Sequence, residues 1–309
     1  MIAAARGAMH GNIHGNIHGI LVLDKPAGMT SATAVDHVRH ALGISRAGHG
    51  GTLDPIATGV LPICLGAGTK LAQFLLAEDK AYLAEGVLGI ETDTLDRTGR
   101  VVAERPVTVS REALAEALAA RVGEQTQIPP MYSAIKQGGV RLYDRARAGE
   151  EVERAPRPIR IDRLELLAFE PPRFRIAIAC SKGTYVRSLI ADLGTAVAAG
   201  AHLAELRRIR SGRFGIEQAV TLDRLGEAEL VPPEHALDLE RVTAPRALVA
   251  PVLSGVQLPA ATWDTIARRF QILDEECRLL AVAHTEAGRT VYDRVFPELV
   301  GRGSGALGA

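Results

Sequence analysis

Asp54 sits in the loop sequence GHGGTLDPIATG, with three glycines before it and Pro55 after it. Glycine lets a backbone approach a ligand closely, and proline fixes the direction in which the chain leaves. A carboxylate presented in this way is a candidate nucleophile or base. The same residue would also suit an Asx-turn, bonding its own backbone, and spacing alone leaves both readings open. A partner is offered by SKGTYVRSLIADLG. Thr184 is a good helix N-cap, which places Arg187 in the first helical turn, where the positive end of the helix adds to the guanidinium. A carboxylate docked there stays ionised, because a neighbouring cation favours its charged form. Arg187 would equally serve to bind a phosphate or to solvate a helix end.

Thirty-six basic residues balance thirty-six acidic ones, so a polyanionic partner has to be held by local patches. Two clusters qualify. The stretch 136–163 holds eight basic and five acidic residues, including Lys136, Arg141, Arg145 and Arg147. Arg207, Arg208, Arg210 and Arg213 fall within seven residues, with Glu205 nearby. Phosphate contacts from such patches contribute salt-dependent affinity through counterion release, although a solvated basic face is the commoner role of any one cluster. Tyr82, Tyr132, Tyr143 and Tyr185, four of the five tyrosines, lie near these motifs. A ring beside a polar loop suits stacking on a base taken out of its helix, or a structural role with a bonded hydroxyl.

The elements that must position these groups read as follows. ILVLDKPAG is a short buried strand ending in a Pro-Gly turn. Ser31 caps a helix reaching about Leu42, with Val35, Val38 and Leu42 on one side. GVLPICLG is a strand, Thr69 to Ala77 a helix, and 80–90 a strand. Ser110 starts a helix with Leu114, Leu118 and Val122 at spacing four. RFRIAIAC alternates, with Phe174, Ile176, Ile178 and Cys180 on one face. A helix with Val186, Ile190, Leu193 and Val197 follows, then a strand entering the basic turn HLAELRRIRSGRF. Strands and helices are mixed without strict alternation, and no GxGxxG follows a strand. That predicts an α+β chain with a mixed or antiparallel sheet.

The organisation expected is a flexible extension over 1–18, a main domain over 19–240, a minor, mostly β domain over 241–300, and a tail over 301–309. Residues 127–160, rich in Pro, Gly and Arg, read as a long surface insertion, and 221–243 as an acidic link. His10, His14 and His18 recur at spacing four, but each repeat carries a glycine, which opposes the helix that a shared metal site would need. Cys64, Cys180 and Cys277 form no CxxC pair and predict neither a disulfide framework nor a structural zinc. No apolar run approaches the roughly 20 residues of a membrane helix and no secretory pattern opens the chain, so a cytoplasmic, cofactor-free monomer without membrane contact is expected.

Taken together, LDKPAGMTS, GHGGTLDPIATGVLPICLG, DKAYLA, PPMYSAIKQGGVRLYDRARAG, CSKGTYVRSLIADLG and HLAELRRIRSGRF resemble the bacterial tRNA pseudouridine-55 synthase (TruB) family over about 19–215, in the family's order. The resemblance implies an α+β pseudouridine synthase fold with a central mixed, largely antiparallel sheet and a small PUA-like C-terminal domain. It implies tRNA, through its T-arm, as the partner, and uridine-to-pseudouridine isomerisation as the reaction. It makes Asp54 the catalytic aspartate, Arg187 its partner and Tyr82 the ring stacked on the target base. It makes His49 the histidine supporting the flipped-out nucleotides, puts Tyr185, Lys25 and Leu206 at the active site, and makes 127–160 the insertion that closes over the T-arm. Two residues depart from the family pattern. Gly50 replaces a larger residue and is expected to loosen the catalytic loop, and Arg213 stands where proline is frequent. Two other classes stay open: an RNA-folding module whose catalysis is secondary, and the guide-RNA-dependent relatives, which the resemblance suggests lack the insertion.

Overall fold

The computed structural model describes residues 17–132, 136–137, 140–141 and 152–300. In chain order the elements are β1 (Gly19–Lys25), α1 (Ser31–Ala41), β2 (Ala47–His49), β3 (Thr58–Leu65), and a 3-10 turn leading into α2 (Ala72–Leu76). Then come β4 (Lys80–Leu88), β5 (Ile90–Thr92), β6 (Val101–Glu104), α3 (Arg111–Ala119), β7 (Gly123–Gln127), β8 (Lys136–Gln137) and β9 (Val140–Arg141). β10 (Arg157–Glu170), β11 (Arg173–Cys180), α4 (Val186–Ala196), β12 (Ala201–Ser211) and β13 (Phe214–Gly215) complete the main unit. The C-terminal part holds β14 (Glu240–Thr243), α5 (Arg246–Leu253), β15 (Arg269–Leu273), β16 (Leu279–Glu286) and β17 (Arg289–Val295).

The chain is α+β with a mixed, largely antiparallel sheet, as the pattern predicts. The order is β1-β3-β12-β4-β11-β10-β7, with β2 on β3 and β13 on β12. β12 runs parallel to β3, pairing Arg207 with Thr58 and Arg208 with Gly59, and antiparallel to β4. This crossover brings the basic strand against the exit of the Asp54 loop. One face of the sheet buries Leu61, Ile63, Tyr82, Phe174, Ile176, Ile178 and Leu203 against α1, α3 and α4. The alternation in β11 is as read: Phe174, Ile176, Ile178 and Cys180 are buried.

A smaller sheet, β14-β15-β16-β17, forms the C-terminal part. It does not stand free. Leu273, Leu279, Val282 and Phe296 share a core with Ile20, Val22, Val60, Cys64, Leu71 and Phe214. The acidic stretch 221–243 is likewise no loose link: Val231 bridges to Ile20 of β1, and Ala236 and Leu237 are buried in that same core. The three cysteines are free, and no helix among the described residues is long and apolar enough to cross a membrane.

Several local readings shift. Thr30, not Ser31, caps α1 by accepting from the Thr33 N–H. Val122 lies beyond α3 and is exposed, because the helix ends at Ala119 and the chain turns at Gly123 (φ 111°) into β7. The insertion is shorter than 127–160, since Gln127 pairs with Arg157 and β7 is zipped to β10 as far as Gly123–Ile161. Ile17 packs on the main core and the His18 Nδ1 accepts from the Ala67 N–H at 3.0 Å, so the end of the expected extension is docked.

Candidate active site

Asp54 stands on the loop between β2 and β3, and four separate contacts fix that loop. The Asp54 carbonyl accepts from the Ala57 N–H at 3.0 Å, and the Pro55 carbonyl from Gly28 at 2.8 Å. Ser31 Oγ donates to the Leu53 carbonyl at 3.0 Å and accepts from the Leu53 N–H at 2.8 Å. The residue next to Asp54 thus has both backbone groups satisfied by one buried hydroxyl, as buried backbone requires. Gly50 does not loosen the loop. Its N–H bonds the Pro62 carbonyl at 2.8 Å, and a Cβ there would stand 2.7 Å from Leu75 Cβ. The small residue is what lets loop and α2 touch.

Arg187 Nε donates to Asp54 Oδ2 at 2.8 Å, so the expected pair forms. The arginine side chain is 4% exposed and the aspartate 35%. The rest of the fork is occupied: Nη1 donates to the Thr94 carbonyl at 3.1 Å and Nη2 to the Tyr132 carbonyl at 2.8 Å. Asp96 Oδ2 lies 3.8 Å from Nε. A buried guanidinium held at three nitrogens has one pose, and it aims the carboxylate rather than following it. The cap differs from expectation. Tyr185 occupies the N-cap position, and the Thr184 hydroxyl donates to the Ser181 carbonyl instead. Gln127 supplies the missing capping function, its amide bonding the Tyr185 N–H at 2.8 Å and the Tyr185 carbonyl at 3.1 Å.

Around this pair the structure gathers cations that the neutral composition hides. Lys25 is buried, and its Nζ donates to the carbonyls of Pro26 at 2.7 Å and Met29 at 3.0 Å. Burial lowers its pKa to about 8, partly offset by Asp54 and reinforced by Arg208. His49 is pushed below its ordinary value by burial and by Arg208, so its ring is neutral at pH 7, and its buried Nδ1 has no partner among the described residues. Tyr82 is buried on β4, and burial raises its phenol above the usual value. Leu206 lines a groove of about 570 Å³ with Ile56, Thr58, Ala84, Ile176 and Arg207, so this groove opens beside the loop that carries Asp54.

The basic residues divide sharply. Arg208 is 1% exposed and bonded to main-chain carbonyls, so it is not available to a phosphate, against expectation. Its place on β12 turns it inward beside β3, where a solvated cation cannot reach. Arg207 is half-buried and paired with Asp24 at 2.7 and 3.1 Å. Arg210 is exposed, bonding the Gly212 carbonyl at 3.3 Å. Arg213 donates to the His235 carbonyl and thereby ties the turn between β12 and β13 to the 221–243 segment. Lys136 and Arg141 pair across the β8–β9 hairpin. Arg145, Arg147 and Tyr143 lie outside the described residues.

Ser31, Gln127, Thr94 and Asp96 surround the Asp54–Arg187 pair and were not assigned to it from sequence, and Arg208 was assigned as a phosphate contact instead. For Asp96 a signal existed: in ETDTLDRTGR its carboxylate accepts from the hydroxyls of Thr94 and Thr98 at 2.8 and 2.6 Å, the dense Thr/Asp/Gly pattern of side-chain-stapled turns.

Comparison with known proteins gives this geometry a context. Residues 39–186 match the N-terminal domain of the TruB family pseudouridylate synthases, and 187–257 match the tRNA pseudouridylate synthase B C-terminal domain. The chain is 50% identical over 238 residues to the tRNA pseudouridine synthase B of Stutzerimonas stutzeri, covering 77% of this chain and 75% of the relative. It is 52% identical over 219 residues to that of Pseudomonas aeruginosa, covering 71% and 72%. Among solved structures, a Cbf5-Nop10-Gar1 complex is similar with a TM-score of 0.71 and 27% identity, over 93% of this chain and 86% of that one. An H/ACA ribonucleoprotein bound to a substrate RNA containing 2′-deoxyuridine follows at 0.70 and 26%, over 90% and 85%. A pseudouridine synthase fold, two family domains matched over 39–257 and half-identical relatives over most of the chain lead to one assignment: the chain belongs to the TruB family of pseudouridylate synthases.

Proposed function

We propose that this protein isomerises uridine 55 in the T-loop of tRNA to pseudouridine, with Asp54 as the essential carboxylate acting on a flipped-out nucleotide. The observation that carries the reading is the Arg187–Asp54 pair, in which the cation is buried and locked while the carboxylate is a third exposed. The reaction breaks the N1–C1′ bond of uridine, turns the base, and joins C5 to C1′; the proton lost from C5 is balanced by one gained at N1. Attack of Asp54 on C1′, attack on C6, or removal of a sugar proton each requires an ionised carboxylate with a fixed approach, which the Arg187 fork provides. Flipping the base costs a few kcal/mol. Tyr82 stacks on the everted base and His49 supports the flipped-out loop nucleotides, which offsets that cost. Lys136, Arg141, Arg145, Arg147, Arg207 and Arg210 contact tRNA phosphates, with Tyr132 and Tyr185 at the rim of the site. The half-identical relatives named tRNA pseudouridine synthase B support tRNA as substrate. The proposed setting is cytoplasmic, with the protein acting as a monomer and without a bound cofactor.

The likeness to a Cbf5-Nop10-Gar1 complex and to an H/ACA ribonucleoprotein bound to a substrate RNA favours a second reading, action within a guide-RNA particle. One experiment separates the two: purified protein alone is given a T-arm stem-loop, and pseudouridine is mapped by carbodiimide-dependent reverse-transcription stops. Modification at position 55 by wild type supports the stand-alone reading. An unmodified stem-loop that becomes modified only with a guide RNA overturns it.

A further inference from the structure

Arg208 differs from every other arginine of β12. All three guanidinium nitrogens are spent on main-chain carbonyls: Nε on Val60 at 2.7 Å, Nη1 on Thr52 at 3.3 Å and Nη2 on Gly51 at 3.2 Å. These oxygens lie on both limbs of the loop that presents Asp54, two residues beyond Thr52. The main chain interlocks at the same point. Arg208 pairs with Gly59, where φ is 100° and a Cβ would stand 2.1 Å from the Arg208 carbonyl oxygen. Arg208 also stands opposite Tyr82 on the neighbouring strand β4, close enough for its charge to act on the phenol. One residue therefore ties β3 and the Asp54 loop through its side chain and faces Tyr82 across the β12–β4 pairing.

Burying such a charge is costly. Among the described residues Arg208 has no carboxylate partner, and only carbonyl dipoles and a phenol offset its lost hydration. A core that needed only packing would be served by a long apolar side chain. A planar fork with five N–H donors is what holds carbonyls from two directions at once, and an ammonium cannot reproduce it.

We propose that Arg208 is a positioning residue for the isomerisation, fixing the backbone that carries Asp54 and the ring of Tyr82 in a single frame without touching the nucleoside. The proposal rests on the roles given above to Asp54 and Tyr82. It separates Arg208 from Arg207 and Arg210, which stay at the surface. Its loss is felt in the chemical step and not in RNA affinity, because a displacement of about 1 Å in a reacting group can cost roughly 10²-fold in rate.

The test compares wild type, R208K and R208Q by single-turnover pseudouridine formation on a T-arm stem-loop, by RNA binding, and by thermal melting. R208K keeps the charge and loses the fork. It is expected to melt cooperatively, to bind RNA within about twofold of wild type, and to turn over about 10²-fold more slowly, with R208Q slower still. A purely structural residue would lower the melting temperature while leaving the rate of the folded fraction intact, and that result overturns the proposal. So does an R208K rate within about threefold of wild type. A loss of RNA affinity in step with rate makes Arg208 an RNA contact, and loss of cooperative melting in both variants makes it a core residue alone; either overturns the proposal. A wild type that forms no pseudouridine overturns the parent reading and this one with it, whereas an active wild type with an unaffected R208K overturns this one alone.

Discussion

Two arginine–aspartate pairs in this chain share a bond and invert their burial. Arg187 Nε meets Asp54 Oδ2 at 2.8 Å, and Arg278 Nε meets Asp274 Oδ2 at 2.7 Å. In the first pair the arginine is 4% exposed and the aspartate 35%; in the second the arginine is 44% exposed and the aspartate 3%. Asp274 is fully engaged, since its Oδ1 also accepts from the N–H groups of Glu276 and Arg278 at 3.1 and 2.8 Å, closing the turn between β15 and β16. An aspartate committed to its own turn and 3% exposed presents no open oxygen to a ligand. Asp54 leaves turn-making to Ser31, Ala57 and Gly28, and its carboxylate stays a third exposed. The distinction between an open and a committed carboxylate lies in what else holds the loop, not in the ion pair itself.

The largest effect expected is that of Asp54→Asn. Single-turnover pseudouridine formation should fall by at least about 10³-fold, while RNA affinity and melting temperature stay near wild type. Substantial residual turnover would remove the contrast between the two aspartates. Arg187→Lys comes next. It keeps a charge near Asp54 but gives up the fork that also holds Thr94 and Tyr132, so a rate loss of about 10²-fold is expected, accompanied by a lower melting temperature because buried carbonyls lose their donors. Equal rates for Arg187→Lys and wild type in a quench-flow assay would show that any nearby cation suffices.

The Asp54–Arg187 pair was offered by motifs whose glycines, proline and helix start mark both members, but spacing left an Asx-turn and a phosphate-binding arginine equally open, and the family resemblance chose between them. The residues that make the pair work were not legible. Ser31 acts on a backbone 22 residues away, and Arg208 on carbonyls 148 to 157 residues away. Main-chain acceptors leave no trace in side-chain spacing, so neither periodicity nor charge clustering finds them. Arg208 misled in the other direction: a basic run predicts a solvated face, but in a strand alternate residues point inward, and the crossover that pairs β12 with β3 is a tertiary event. Tyr82 shows the same limit. Its burial on β4 follows the alternation, whereas its role came through resemblance to a family and not from the residues around it.

A smaller effect sharpens the comparison by charge rather than by position. Lys25 is buried beside Asp54 and titrates at about 8, below its ordinary 10.5. Its cationic support for the carboxylate is present below pH 8 and lost above it, so the wild-type rate should decline by a few-fold as pH rises through about 8. Stability should move the other way. The unfolded chain holds this proton up to about 10.5 and the folded chain releases it near 8, so between these values the unfolded state binds more protons and this group's contribution to stability grows with pH. Opposite slopes in rate and melting temperature over that window distinguish loss of the charge from unfolding. Lys25→Met should be slower at pH 7 and flat above it; an alkaline limb that persists in this variant assigns the limb elsewhere.

The smallest effects belong to the second pair. Asp274→Asn leaves the N–H groups of Glu276 and Arg278 with a weaker acceptor in a half-buried turn, which should cost about 1–3 kcal/mol in denaturant unfolding. Arg278→Ala removes an exposed cation whose attraction is screened by water, so it should cost at most about 1 kcal/mol despite the shorter bond. Neither should change turnover on the stem-loop, since β15 and β16 meet the main unit through the shared apolar core around Phe296, and Asp274 and Arg278 lie at the turn between those strands. The asymmetry is the point of the experiment. In the C-terminal pair the aspartate should be the member that matters for stability, and in the Arg187–Asp54 pair the aspartate should be the member whose loss stability tolerates best. If Asp54→Asn and Asp274→Asn destabilise the protein equally, Asp54 is serving its loop in the way Asp274 serves its turn, and the openness of its carboxylate is not free to be used for chemistry.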